Sequence, residues 1–266
     1  MKPKPFLTSI EWVSYFHENA QTATTRPLPE SEPALSTRLR EILRASLPAW
    51  QLGKTSEGNH LRKAARQYAE TQHDPAFVNA VELFIREEQR HGQRLGEWLD
   101  RAGIPRCERD WGDSLFRFCR YAIPNYAVWA SVVVMVETMA EIYYAAVRRI
   151  TPCPRLRAEC SRILADELKH IQFQCEHLAA TRRDLPRWLR EIVHFGESLF
   201  FIGVSGAVWI GHGRLIREAD ISFTQFIPLA WRRYRLVQKM MDPAIYDFDL
   251  PGQYEKWRRR LLTATD

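Results

Sequence analysis

The chain has 266 residues, a formal charge of +6 and 45% apolar residues, among them nine Trp, nine Tyr and thirteen Phe. That is ample for a packed core. Clean alternating runs of β-branched residues and Asn-Gly or Asp-Gly turns are missing, so the composition argues against a β-sheet protein and for an all-α fold. The five cysteines, Cys107, Cys119, Cys153, Cys160 and Cys175, are odd in number and form no Cys-x-x-Cys pair, which predicts reduced thiols and a cytoplasmic protein.

Residues 1–35 read as an arm packed along the bundle. Met1-Lys2-Pro3-Lys4-Pro5 leads into no signal-peptide core, a short amphipathic turn covers Ile10 to His17, and a Pro-rich stretch follows from Arg26 to Pro33. Ser36 is placed to cap a helix to about Ser46. Pro48 suits the first turn of a helix running to about Thr71 and carrying Glu57, with Gly53 and Gly58 hinting at a distortion beside it. Asp74-Pro75 opens the next helix, which ends near Gly103. After a crossover from Arg106 to Tyr121, helices are predicted at about 124–150 and 154–182. Two more cover about 187–213 and 217–241, and a short one Gln253–Leu262. Residues 36–182 would form the main bundle and 183–266 would pack on it, making one domain overall. The most apolar window, Leu199 to Gly211, is too short to span a bilayer and is read as a buried helix.

Two stretches carry the chemistry. In the helix after Pro75 an apolar ladder runs Phe77, Val81, Phe84, then Glu88 and His91, then Leu95 and Trp98. In the helix after Pro154 it runs Leu156, Cys160, Ile163, then Glu167 and His170, then Gln174 and Leu178. A carboxylate and an imidazole three apart share one helix face. The spacing alone is weak, since Glu57/His60 and Glu191/His194 repeat it. Its place in the core-facing stripe is the informative part, because a buried carboxylate must be neutralised, hydrogen-bonded or bound to metal.

Two more acids complete a doubled pattern. Glu57 precedes Glu88 by 31 residues and Glu137 precedes Glu167 by 30, each interval fitting a helix, a turn and a return. Glu137 and Glu141 are four apart on one face, and either can serve. The interval favours Glu137 and leaves Glu141 as a neighbouring acid or extra ligand. His60 lies off the stripe that carries Glu57. Four carboxylates and two imidazoles form the ligand set of dinuclear four-helix bundles, and they suit iron or manganese.

With these residues the chain resembles the ferritin-like di-iron carboxylate superfamily over about residues 48–180. It is similar to bacterial ferritin-like proteins of unassigned activity through Ser56-Glu57-Gly58, Glu87 to His91, and Glu137 followed by Tyr143-Tyr144. The resemblance implies a four-helix bundle holding two iron ions, or a manganese-containing pair, at Glu57, Glu88, His91, Glu137, Glu167 and His170. It implies that Asp166 accepts the N–H of His91 and Glu87 that of His170. Tyr68 and Tyr144 stand near the ligands, as core residues or as hydrogen-bond partners. The implied activity is that of an oxidase or oxygenase activating dioxygen against a small organic or lipid-like molecule, with electrons from an external donor. Similarity to aromatic N-oxygenases stops at Ile163, where that group has a histidine. The alternatives are iron handling or peroxide scavenging without organic substrate, and a non-enzymatic helical scaffold. Arg182-Arg183, Arg232-Arg233, Arg235 and Arg258-Arg259-Arg260 read as a solvated basic face in preference to a nucleic-acid surface, and an acidic carrier protein would suit them. The extra helices would wall a substrate cavity or form a homodimer interface, with no membrane partner.

Overall fold

The computed structural model describes residues 4–25, 34–121 and 125–248. The helix expected at Gln253–Leu262, the arginines at 258–260 and the Pro-rich stretch Arg26 to Pro33 lie outside the described residues. The described chain is predominantly α-helical, as its composition predicts.

Helix α1 spans Ser9–Thr25, much longer than the turn expected there. Trp12 and Phe16 are completely buried, and the Trp12 indole donates to Glu176 at 3.0 Å. Within the arm expected at residues 1–35 to pack along the bundle, α1 is a long helix whose apolar face joins the core. Helix α2 is Thr37–Arg44, capped by Ser36, whose hydroxyl accepts the Leu39 N–H at 3.3 Å. The single helix expected from Pro48 to Thr71 is two, α3 at Leu47–Gly53 and α4 at Asn59–Gln72. The break between them turns on Gly58, whose φ of +74° lies in the left-handed region.

Helices α5 (Ala76–Arg101), α7 (Tyr126–Ile150) and α8 (Pro154–Arg182) fall within two residues of their predicted bounds, and α6 (Trp111–Tyr121) occupies the crossover. Asn125 caps α7, accepting from Ala127 N at 2.8 Å. Helix α9 runs through Arg187–Glu218 and α10 through Phe223–Met240, so the turn lies about five residues later than expected. A capping box between Ser222 and Gln225 sets the start of α10. A two-residue parallel pairing of β1 (Lys4–Pro5) with β2 (Tyr246–Asp247) joins the two ends of the described chain.

Two apolar clusters bracket the centre of the bundle. One contains Phe77 to Ile85 of α5, Tyr126 to Val134 of α7 and Ile171 to Leu178 of α8, with Trp12 and Phe16. The other contains Leu95 to Leu99, Ala140 to Val147 and Leu156 to Ile163 of the same helices. Residues 87–91, 137 and 167–170 fall between the two, so the helices carry a polar layer into the interior. Helices α9 and α10 add a third cluster against α7, where Phe201 stacks on Tyr234 at 4.4 Å.

Candidate metal centre

The polar layer gathers five of the six residues singled out by the ladder argument: Glu88, His91, Glu137, Glu167 and His170. All but Glu88 are buried, and Glu88 borders a cavity. One nitrogen or oxygen each from Glu88, Glu167 and His170 lie within 4.8 Å of one another, close enough to grip one cation. The sixth residue, Glu57, is not among them. It sits on the surface in the α3–α4 break, where its carboxylate accepts from Asn59 at 2.8 Å. The reading of Glu57 as an inward ligand is corrected, because the backbone leaves the helix before reaching it.

In its stead the interior holds Lys54, a residue that nothing in the ladders marked. Its ammonium donates to Glu88 Oε2 at 2.6 Å, to Glu88 Oε1 at 2.8 Å and, more closely still, to Glu167 Oε1. Burial works against a charged lysine, but Glu167, Glu88 and Glu137 outweigh it and hold the pKa above its ordinary value. Burial would raise Glu88 too, yet Lys54, His170 and His91 keep it well below the carboxylate range. Glu137 is pushed far up by burial and by the neighbouring Glu167 charge, and Glu167 is raised by burial against the pull of Lys54.

The histidines are held from behind. His91 Nε2 lies 2.8 Å from Asp166 Oδ2, and His170 Nε2 lies 3.1 Å from Glu87 Oε2. With each Nε2–H donating to a carboxylate, both rings turn Nδ1 towards Glu88 at the centre. Neither Nδ1 has a hydrogen-bond partner, and neither does Glu137 Oε1 or Glu167 Oε2. His170 Nδ1 approaches Glu88 Oε1 at 3.1 Å and His91 Nδ1 approaches it at 3.4 Å. Desolvation opposes the charge of His91, but Asp166 and Glu88 raise its pKa to about 9. His170 is raised further, burial being outweighed by Glu87 and Glu88.

Asn19 of α1 ties the supporting acids together, donating to Glu87 Oε1 at 2.5 Å and to Asp166 Oδ1 at 2.9 Å. Gln174 Nε2 donates to Glu137 Oε2 at 2.7 Å. Asn19 had no visible signal in the sequence, since it lies in the supposed arm, whereas Gln174 already stood on the α8 ladder. Glu141 is buried, lies 3.7 Å from Arg233 and is not among the gathered ligand atoms. Tyr144 is buried with its hydroxyl unpartnered, while Tyr68 packs on Phe77, Tyr126 and His177 among the apolar residues of the first cluster. His60 is exposed at the cavity rim. His212 packs on Trp50 and Tyr143, with Ser46 Oγ 2.9 Å from its Nδ1, and His194 is half-buried on α9.

A largely apolar cavity of about 590 Å³ reaches this layer at Lys54, Glu88 and Glu137, walled by α5 and α7 and by Trp111 of α6 and Phe200 of α9. Its size is that of a small-molecule site. Comparison with family models, curated proteins and solved structures gives no match. All five cysteines are free thiols. Among the described residues, two helices are long and apolar enough to cross a membrane: α7, whose apolar window is 89% buried, and α9, whose window is only 28% buried. The reading of Leu199 to Gly211 as a buried helix is thus corrected, since much of that apolar face is exposed.

Proposed function

We propose that the polar layer is the metal centre of an oxidoreductase that oxidises a small apolar or lipid-like molecule held in the adjoining cavity, on a ferritin-like core formed by α3–α4, α5, α7 and α8. The observation that carries this reading is the group of donor atoms from Glu88, Glu167 and His170 within 4.8 Å of one another, with Glu137 Oε1 and Glu167 Oε2 buried and unpartnered in the same layer. Buried polar atoms without partners are costly, and a cation would satisfy them. The donor set, carboxylate and imidazole without thiolate, fits iron or manganese. Glu88, Glu167 and His170 would hold it.

Bound there, such a metal would supply the activation of dioxygen. The chain's own residues do the rest. Asp166 and Glu87 fix the imidazole rings by accepting their Nε2 protons. Asn19 fixes those acids. Trp111, Phe200 and the apolar walls exclude water and accept an apolar substrate beside Glu88 and Glu137. The cavity favours an organic substrate over iron storage, which needs none.

The test is metal content by elemental analysis of protein grown with iron, for wild type, Glu167→Ala and His170→Ala. Both substitutions are expected to abolish bound iron while far-UV circular dichroism stays helical. Iron content unchanged in both would refute the assignment.

A further inference from the structure

The dinuclear ligand pattern asks for a carboxylate from the first helix, and the chain delivers an ammonium. Lys54 is 7% exposed and follows the last turn of α3. Its position is fixed. Its N–H donates to Gln51 O at 3.2 Å, and Gln51 in turn donates to Gly92 O at 3.1 Å. Helix α5 passes so close that a Cβ on Gly92 would lie 3.0 Å from the Lys54 carbonyl. Lys54 is therefore built into the centre, unlike a surface lysine snorkelling inwards from the rim.

We propose that Lys54 is a resident cation that takes one of the two cation positions of this ligand set, so that the chain holds a single divalent metal at Glu88, Glu167 and His170. The inference rests on the metal-centre reading and specifies its nuclearity. Three carboxylates, Glu88, Glu137 and Glu167, face one ammonium. The Lys54 ammonium already engages both oxygens of Glu88 and one of Glu167, the carboxylates that two ions would have to share. A second ion would have to displace it or sit against its charge in a buried site, which is expensive. Glu57, the carboxylate that a second ion would need, is on the surface.

The experiment is anaerobic equilibrium dialysis of the metal-free full chain against Mn²⁺, with low-temperature electron paramagnetic resonance of the loaded protein. Wild type and Lys54→Arg, which keeps the charge, are expected to bind one ion per chain and to show the spectrum of an isolated ion. Lys54→Glu replaces the ammonium with the missing carboxylate. It is expected to bind two ions and to lose that spectrum to exchange coupling. Lys54→Met is expected to bind its first ion about tenfold or more tightly, since one like charge is removed nearby. Two ions in wild type would overturn the role of Lys54 and leave the metal centre standing, as would one ion in a folded Lys54→Glu. No ion in wild type would overturn both. The wild-type stoichiometry decides the matter even if a Lys54 variant fails to fold.

Discussion

Glu176 and His177, adjacent and buried on α8, titrate in opposite senses. The Glu176 carboxylate accepts from Leu7 N, from Trp12 Nε1 and from Gln172 Nε2, yet burial outweighs these donors and raises its pKa to about 7. Its stabilising contribution is full below the ordinary value of 4.5 and is lost as pH rises through about 7. His177 donates from Nδ1 to Phe173 O at 2.8 Å and stands among Phe77, Phe173 and Tyr68, and burial lowers its pKa to about 4. Its contribution is full above 6.5 and is lost as pH falls through about 4. Between 4.5 and 6.5 the two slopes oppose, each reaching about 1.4 kcal/mol per pH unit. Urea unfolding across this window is expected to show Glu176→Gln losing stability on acidification more steeply than wild type, and His177→Gln less steeply. Parallel curves for all three proteins would contradict the assignment.

Among the elements, the α3–α4 break decides which side chain from the first helix enters the interior. Gly58 makes the break at φ +74°, and a Cβ there would meet Ile85 Cδ1 at 2.8 Å. Gly58→Ala is therefore expected to destabilise the fold by about 1–2 kcal/mol from backbone strain alone, lowering Tm by about 2–4 °C per kcal/mol. Gly53, at the end of α3 with nothing within 4 Å of an added Cβ, is the control. Gly53→Ala is expected to be neutral or slightly stabilising, and equal losses in the two variants would refute this account. The same break marks where the sequence stops being readable. Helices α5 and α8 announce themselves through Pro75 and Pro154 and through apolar ladders interrupted by Glu88 and His91, or Glu167 and His170. A ladder reports which face is inward only while the helix continues. Past Gly53 it does not, so the interval from Glu57 to Glu88 points inwards a residue that the broken backbone leaves on the surface. Lys54 escaped notice because a lysine is seldom buried without a charge partner, and its partners lie 34 and 113 residues away. Asn19 was invisible for a related reason: only tertiary packing brings α1 against Glu87 and Asp166.

For the whole molecule, the unresolved business is the outer face of α9. Trp188, Ile192, Phe195, Leu199 and Ile202 are each more than half exposed. They recur at alternating steps of four and three, and Gly206 continues the series, which is the seam a partner helix packs into. Gly196 and Gly203, seven apart beside the seam, have open space around an added Cβ and permit close approach. A bilayer has no need of this period. Insertion of α9 would also tear Glu197 from Arg182, a buried ion pair that ties α9 to α8. A second copy of the chain fits better, with the two α9 helices antiparallel. Sedimentation velocity is therefore expected to give twice the 31.2 kDa chain mass at micromolar concentration. The double substitution Ile192→Glu with Ile202→Glu is expected to give a folded monomer, because both residues lie in the seam and carry little of the core. A monomeric wild type would refute the pairing. Co-sedimentation of that monomer with anionic vesicles, lost in the double variant, would assign the stripe to a lipid surface instead.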